Sequence, residues 1–163
     1  MNPRVVVVTQ QMVDEERVRQ MAPDGIELVI SSPADARWAE LMSQAEYLVG
    51  FVDMLVKPEL YRIAPRLKLI QLLSAGYDRA DLAAARRAGV PVANNGGANA
   101  VAVSEHAMMF MLALSRQLLG QHANVIGGRW RGPSTPRLHE LRGQTLGIVG
   151  MGTIGKKTAR LAQ

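Results

Sequence analysis

The chain has 163 residues, of which 48% are hydrophobic and 20% are charged, and its formal net charge is +5. This composition excludes intrinsic disorder, which combines low hydrophobicity with high net charge, and it excludes collagen-like sequences. The 19 basic residues are scattered, which argues against a nucleic-acid partner, and no apolar run is long enough to span a membrane. The absence of cysteine excludes disulfides and cysteine zinc sites. We therefore predict a cytoplasmic protein without a metal site.

Short β-branched runs alternate with helix-like segments along the first part of the chain. The predicted strands are 4–9, 26–30, 47–50, 67–73 and 90–93. The predicted helices are 11–21, 34–42, one that begins at Pro58, and 81–88, with Asp81 as its N-cap and Gly89 as its C-terminal stop. This alternation predicts an α/β fold with a doubly wound parallel sheet, whose ligand loops follow the carboxyl ends of the strands.

The pattern changes after Asn99, where we place a domain boundary. Residues 100–127 contain no proline and predict one long helix. Its middle, 107–114, is apolar all round, so we expect burial on most sides and interpret the methionines as core filler rather than cofactor contacts. An irregular stretch follows, in which Trp130 is either an interface anchor or a packing residue of the chain itself.

A glycine pattern lies between a predicted strand, 145–149, and a predicted helix, 156–163. Gly150, Gly152 and Gly155 have the spacing G-x-G-x-x-G, which in this context is typical of a dinucleotide-binding site. The first glycine permits a tight turn, the second lets the backbone approach a pyrophosphate, and the third lets helix and strand pack closely. The alternative is an ordinary turn between a strand and a helix.

Such a site also expects an acidic residue about 20 positions further on, which holds the ribose hydroxyls. Only eight residues follow Gly155. One strand with one helix does not complete a mononucleotide-binding half. The sequence therefore predicts the front portion of a larger protein.

Four stretches, taken in order, form a specific set: 65–78 (PRLKLIQLLSAGYD), 88–99 (AGVPVANNGGAN), 101–107 (VAVSEHA) and 140–155 (ELRGQTLGIVGMGTIG). Together they resemble the D-isomer-specific 2-hydroxyacid dehydrogenase family, over about residues 45–163. The resemblance implies a flavodoxin-like parallel-sheet substrate domain over 1–99, which lacks its C-terminal return segment. It also implies the start of a Rossmann dinucleotide-binding domain over 100–163.

The resemblance implies hydride transfer between NAD, or NADP, and a small 2-hydroxy or 2-oxo acid. The backbone amides of the loop Ser74, Ala75 and Gly76 would bind the substrate carboxylate; the alternative is a plain strand-to-helix turn. Asn99 would lie near the carboxylate or the nicotinamide, and it is also a candidate helix N-cap. The cofactor would be held by Gly150, Gly152, Thr153, Ile154 and Gly155.

In the family, an Arg anchors the substrate and a His paired with a Glu acts as the acid–base, and these residues lie downstream of the glycine pattern. We therefore expect no catalytic residue in this chain and no activity of the chain alone; His106 is interpreted as structural. The resemblance also implies a homodimer formed through the Rossmann domain and the long helix. The alternative function is a non-catalytic, NAD-sensing or dimerising interaction module. The sequence does not specify which acid is bound.

Overall fold

A parallel sheet of five strands forms the first part of the structure. The computed structural model describes residues 2–9, 14–130 and 137–163. The strands are β1 (Arg4–Val8), β2 (Glu27–Ser31), β3 (Tyr47–Gly50), β4 (Leu69–Leu72) and β5 (Val92–Ala93). The helices beside them are α1 (Glu15–Met21), α2 (Trp38–Ser43), α3 (Pro58–Ile63) and α4 (Leu82–Ala88), and a 3₁₀ turn, Asp53–Leu55, follows β3. The chain divides into two compact units, Met1–Gly96 and Gly97–Gln163.

The strand order is β2-β1-β3-β4-β5, and every neighbouring pair is parallel. This is the flavodoxin-like order, in which the chain reverses its winding between β1 and β3 and ligands bind beyond the carboxyl ends of the strands. The predicted α/β class with a parallel sheet is therefore confirmed. The carboxyl edge is the place where the ligand loops of this unit belong.

The centre of the sheet is buried on both faces. Val6, Val8, Leu48, Ile70 and Leu72 are all fully buried, as expected for parallel strands covered by helices on each side. Burying a side chain of this size contributes about 1.5–3 kcal/mol relative to exposure. The central strands therefore form a rigid support for the loops at the carboxyl edge.

Helix ends in this unit follow their capping residues. The Asp81 carboxylate accepts a hydrogen bond from the amide of Ala84 (2.8 Å), and Gly89 ends α4 with a φ of +69°, so both predicted caps are confirmed. Helix α1 begins at Glu15 because Asp14 caps it; the predicted start at residue 11 lies outside the described residues. Strands β1, β4 and β5 are shorter than predicted.

The single long helix predicted over 100–127 is wrong. The structure contains two helices here, α5 (Ala100–Ser115) and α6 (Leu118–Ile126). Gln117 between them has a φ of +48°, a left-handed conformation that a helix does not accommodate. The break carries neither glycine nor proline, so nothing in the local sequence signals it.

The expected burial of the middle of α5 is also wrong. Ala100 and Ser104 are buried, on a helix that packs against α7 (Thr153–Leu161). By contrast, Met109, Phe110 and Leu114 are 48%, 53% and 77% exposed. The middle of the helix is apolar all round, but its contacts with α7 and α6 leave these side chains exposed.

The strand predicted over 145–149 does not form within the described residues 137–163. A strand requires a neighbour for its ladder hydrogen bonds, and none of the described strands pairs with this segment. The helix predicted from residue 156 begins earlier, at Thr153, and ends at Leu161. In the described part of the chain, no helix combines the length and the apolar character needed to cross a membrane.

Candidate functional site

The loop after β4 contains three consecutive carbonyl groups that each accept a hydrogen bond. The Ser74 carbonyl accepts a hydrogen bond from the backbone amide of Asn95 (2.9 Å). The Ala75 carbonyl accepts one from the side-chain amide of Asn94 (2.7 Å). The Gly76 carbonyl accepts one from the hydroxyl of Ser74 (2.7 Å). The loop is therefore held by bonds to its carbonyl oxygens, and Asn94 is a contributor that the sequence analysis missed.

The amides of the same loop are unused. Among the described residues, the backbone N–H groups of Ala75 and Gly76 donate no hydrogen bond. Both residues lie at the carboxyl edge of the sheet, directly beyond β4. Successive free amides in a turn form a concavity that binds anions. Two free amides at this position are the groups that the carboxylate site implied by the resemblance would need.

An ion pair ties the far end of this loop to the turn after β3. Arg79 donates from Nε and Nη2 to the two carboxylate oxygens of Asp53, at 2.8 and 3.0 Å. The Asp53 side chain is 8% exposed and that of Arg79 is 66% exposed. Hydrogen bonding to Asp53 raises the pKa of Arg79 above its usual range. The sequence analysis missed this pair, although an acidic residue just beyond a buried strand was a usable signal.

The glycine pattern in the second unit has three different local requirements. Gly150 has a φ of +96°, which disfavours any residue with a side chain. A Cβ on Gly155 would lie 2.2 Å from the carbonyl oxygen of Gly150, so this position excludes a side chain by contact. A Cβ on Gly152 would meet nothing within 4 Å, and its φ of −75° suits any residue. The local backbone therefore requires glycine at positions 150 and 155, whereas position 152 has open space for a side chain.

The open space at Gly152 lies at the start of α7. Gly152 is the N-cap, and no side chain caps the helix. The first intrahelical bond here runs from the amide of Lys156 to the carbonyl of Gly152 (3.0 Å), so the amides of Thr153, Ile154 and Gly155 have no partner within the helix. Free amides and the positive end of the helix dipole suit a pyrophosphate. The residues present therefore fit the phosphate part of a dinucleotide.

Asn99 lies in the second unit, at the N-cap position of α5. Its side chain makes no capping hydrogen bond and is exposed. Asn99 therefore occupies the N-cap position, but its side chain does not cap the helix. A Cβ on the nearby Gly97 would lie 3.5 Å from Cγ2 of Thr153. The segment leading into α5 therefore lies beside the start of α7. The predicted residues fall into two groups, the β4 loop in one unit and the glycine turn with Asn99 in the other.

A candidate acid–base pair does not form among the histidines of the described residues. The ring of His106 contacts that of Phe110 edge to face, with centroids 4.3 Å apart. No ion pair between a histidine and a carboxylate occurs in residues 2–9, 14–130 and 137–163. His106 thus contacts a side chain of its own helix.

Comparison with known proteins agrees with this arrangement. The model of the D-isomer specific 2-hydroxyacid dehydrogenase catalytic domain matches residues 5–159. A D-3-phosphoglycerate dehydrogenase of Archaeoglobus fulgidus is 29% identical over 94% of the chain and 29% of its own length. A glyoxylate reductase of Thermococcus litoralis is 34% identical over 76% of the chain and 39% of its own length. The chain thus spans well under half the length of these relatives.

Among solved structures, an NAD-dependent formate dehydrogenase of Staphylococcus aureus in complex with NAD is 25% identical, with a TM-score of 0.73. The similarity covers 97% of this chain and 52% of that one. The family model covers nearly the whole sequence, and both the parallel sheet and the glycine turn lie within the matched residues. The chain belongs to the D-isomer specific 2-hydroxyacid dehydrogenase family.

Proposed function

We propose that this chain is part of an oxidoreductase that transfers a hydride between NAD or NADP and a small 2-hydroxy or 2-oxo acid. The observation that carries the proposal is the open space at Gly152. The fold does not require a glycine at this position, but the close approach of a pyrophosphate to the backbone would require one. Family membership and the free amides of the β4 loop support it further. In this assignment, residues 1–99 form the substrate domain and residues 100–163 the beginning of the dinucleotide-binding domain.

Each group of backbone amides has a role in this proposal. The N–H groups of Ala75 and Gly76 bind the substrate carboxylate, and Ser74 holds the loop through its hydroxyl. The amides of the α7 first turn, with the close approach that Gly152 permits, bind the pyrophosphate. The side-chain amide of Asn99, which caps nothing, is a donor to the substrate or the nicotinamide. The bound dinucleotide supplies or accepts the hydride.

We further propose that the 163-residue chain alone does not turn over substrate. Reduction of a 2-oxo acid requires a proton donor positioned at the carbonyl oxygen. His106 contacts Phe110, and no histidine among the described residues forms an ion pair with a carboxylate. The chain therefore supplies binding groups and not the acid–base pair.

Calorimetric titration with NADH and NADPH, combined with a turnover assay, tests this function. The chain is expected to bind a nicotinamide dinucleotide and to leave NADH unoxidised in the presence of glyoxylate, hydroxypyruvate or pyruvate. Turnover of any of these acids would contradict the proposed inactivity. Absence of binding to both nucleotides would contradict the dinucleotide site. The ratio of the two affinities measures the choice between NAD and NADP.

A second candidate function, a dimerising interaction module, is favoured by one observation. Six large apolar side chains of the second unit are 48% or more exposed and form what we call the α5–α6 apolar surface: Met109, Phe110, Leu112, Leu114, Leu118 and Leu119. Most of them line a groove of about 510 Å³. Monomeric proteins rarely expose apolar patches of this kind unless the patches bind a partner. A second copy of the chain is the proposed partner.

Sedimentation velocity distinguishes this candidate. The parent chain is expected to dimerise, and the double variant Leu114→Ser, Leu119→Ser to be monomeric at the same concentration, because 77% and 82% exposed leucines contribute to the contact without supporting the fold. Met21→Ser is the matched control, since Met21 is 72% exposed on α1 of the other unit. A parent chain that stays monomeric at high concentration would contradict dimerisation.

A further inference from the structure

In the β4 loop, a side chain rather than the sheet ladder holds one of the backbone carbonyl groups. The paired residues of β4 and β5 end at Gln71 and Ala93, and the bond from the Asn95 amide to the Ser74 carbonyl lies beyond them and outside their register. The bond to the next carbonyl, that of Ala75, comes from a side chain, Asn94 Nδ2 at 2.7 Å. Asn94 lies 19 residues away along the chain and directly beyond the end of β5. A side chain therefore holds a carbonyl beyond the end of the ladder.

The consequence follows from the geometry of the peptide bond. The carbonyl of Ala75 and the N–H of Gly76 belong to one planar trans unit and point in opposite directions. When Asn94 fixes the carbonyl towards β5, it fixes the Gly76 N–H away from β5. The hydroxyl of Ser74 does the same to the following peptide through the Gly76 carbonyl. Two side chains thus orient adjacent peptide units.

We propose that Asn94 is a positioning residue for carboxylate recognition, which aims the Gly76 amide at the substrate by holding the Ala75 carbonyl. This inference rests on the proposed role of the β4 loop and adds to it a residue that does not touch the substrate. Its physical basis is preorganisation: a loop whose amides are already aimed loses less freedom when the anion binds. Without the bond, the Ala75–Gly76 peptide is free to rotate, and the anion must order it.

The exposure of Asn94 makes the proposal testable without loss of the fold. Its side chain lies at the surface, so Asn94→Ala leaves the buried strands β3 and β4 unchanged. Asn94→Asp keeps the size of the side chain but removes the N–H donor and places a negative charge at the carbonyl. Asn95→Ala is the matched control: the Asn95 side chain forms no hydrogen bond among the described residues, and alanine keeps the backbone amide that donates to the Ser74 carbonyl.

The experiment is a titration of the isotope-labelled chain with sodium glycolate, followed through the amide resonances of Ala75 and Gly76, with sodium chloride as the salt control. Asn94→Ala is expected to weaken glycolate binding roughly 3- to 10-fold, the equivalent of one lost neutral hydrogen bond. Asn94→Asp is expected to weaken it further, because charge repulsion is added. Asn95→Ala is expected to retain the affinity of the parent chain.

A second readout measures orientation without any ligand. Residual dipolar couplings report the direction of each N–H vector, and that of Gly76 is expected to change in Asn94→Ala and not in Asn95→Ala. If the Gly76 vector and the glycolate affinity are the same in Asn94→Ala as in the parent chain, the inference is overturned while the proposed function stands. If the parent chain itself shows no glycolate shift at Ala75 and Gly76, the proposed carboxylate site fails and the inference fails with it.

Discussion

Substitution of the glycines around the start of α7 separates the requirements of the fold from those of the ligand. In Gly155→Ala, the new Cβ would lie 2.2 Å from the Gly150 carbonyl oxygen, where ordinary contacts begin at 3.4 Å. The two segments must therefore separate by about 1.2 Å, and the obstacle is backbone, which no change of rotamer relieves. Overpacking of this kind costs about 1–3 kcal/mol, which lowers Tm by roughly 2–12 °C for a chain of this size.

In Gly152→Ala, by contrast, the new Cβ meets nothing within 4 Å, and the backbone φ of −75° is one that alanine adopts freely. The Tm is expected to stay within about 2 °C of that of the parent chain, since sites without such features change stability by about 0.5 kcal/mol at most. The methyl group would occupy the space assigned to the pyrophosphate. NADH affinity is expected to fall about 5- to 150-fold, as for a steric cost of 1–3 kcal/mol.

Differential scanning fluorimetry and calorimetric titration with NADH, applied to both variants, measure these effects. Gly152→Ala is expected to be stable and deficient in binding, and Gly155→Ala is expected to be destabilised. If Gly152→Ala binds NADH as tightly as the parent chain, the open space is not the pyrophosphate site. If Gly155→Ala melts at the parent temperature, the close approach of the two glycines is not a constraint on the fold.

Three further results are expected. Replacing Arg79 lowers the Tm, and Arg79→Met is expected to lower it more than Arg79→Lys. Lysine cannot donate two hydrogen bonds to the carboxylate, and methionine leaves the buried Asp53 carboxylate unpaired. Equal Tm values for the parent chain and both variants would refute this. Lys68 hydrogen-bonds Glu46 and lowers the pKa of that carboxyl below its ordinary 4.5. The pair therefore stabilises the folded chain above pH 4.5 and loses this effect as the pH falls through the lowered pKa. The Tm difference between the parent chain and Lys68→Met should vanish over the same pH range. Leu48→Ala removes a fully buried side chain and should lower the urea unfolding free energy by about 2–5 kcal/mol; a loss below about 1 kcal/mol would contradict the described core.

The elements of the first unit were predictable because each carries a local signal. Asp81 and Gly89 mark the two ends of α4 through capping interactions that reach only three or four residues. The run of valines in β1 predicts a strand without information about the neighbouring strands. No single segment predicts the strand order, but the alternation of strands and helices limits the order to a few parallel arrangements. The loop at Ser74 was placed correctly beyond β4 for the same reason.

The parts that sequence reasoning missed depend on contacts between distant residues. Asn94 bonds a carbonyl 19 residues away, and Arg79 pairs with Asp53 across 26 residues. The position of Asp53 just beyond a buried strand marks it as a candidate, but neither spacing is periodic, so the sequence does not indicate the partner. The break at Gln117 lies in a segment with good helix formers on both sides. The segment 145–149 has the composition of a strand, but strand formation requires a partner, and composition does not show whether one is present.

The most direct test of the whole account is the amide spectrum of the isotope-labelled chain with NADH and glycolate added separately. NADH is expected to shift the resonances of Thr153, Ile154 and Gly155, and glycolate those of Ala75 and Gly76, because the two ligands are proposed to bind two different sets of free backbone amides. Shifts confined to other residues, or no saturable shift with either ligand, would contradict the assignment of this chain as the binding part of a 2-hydroxyacid dehydrogenase.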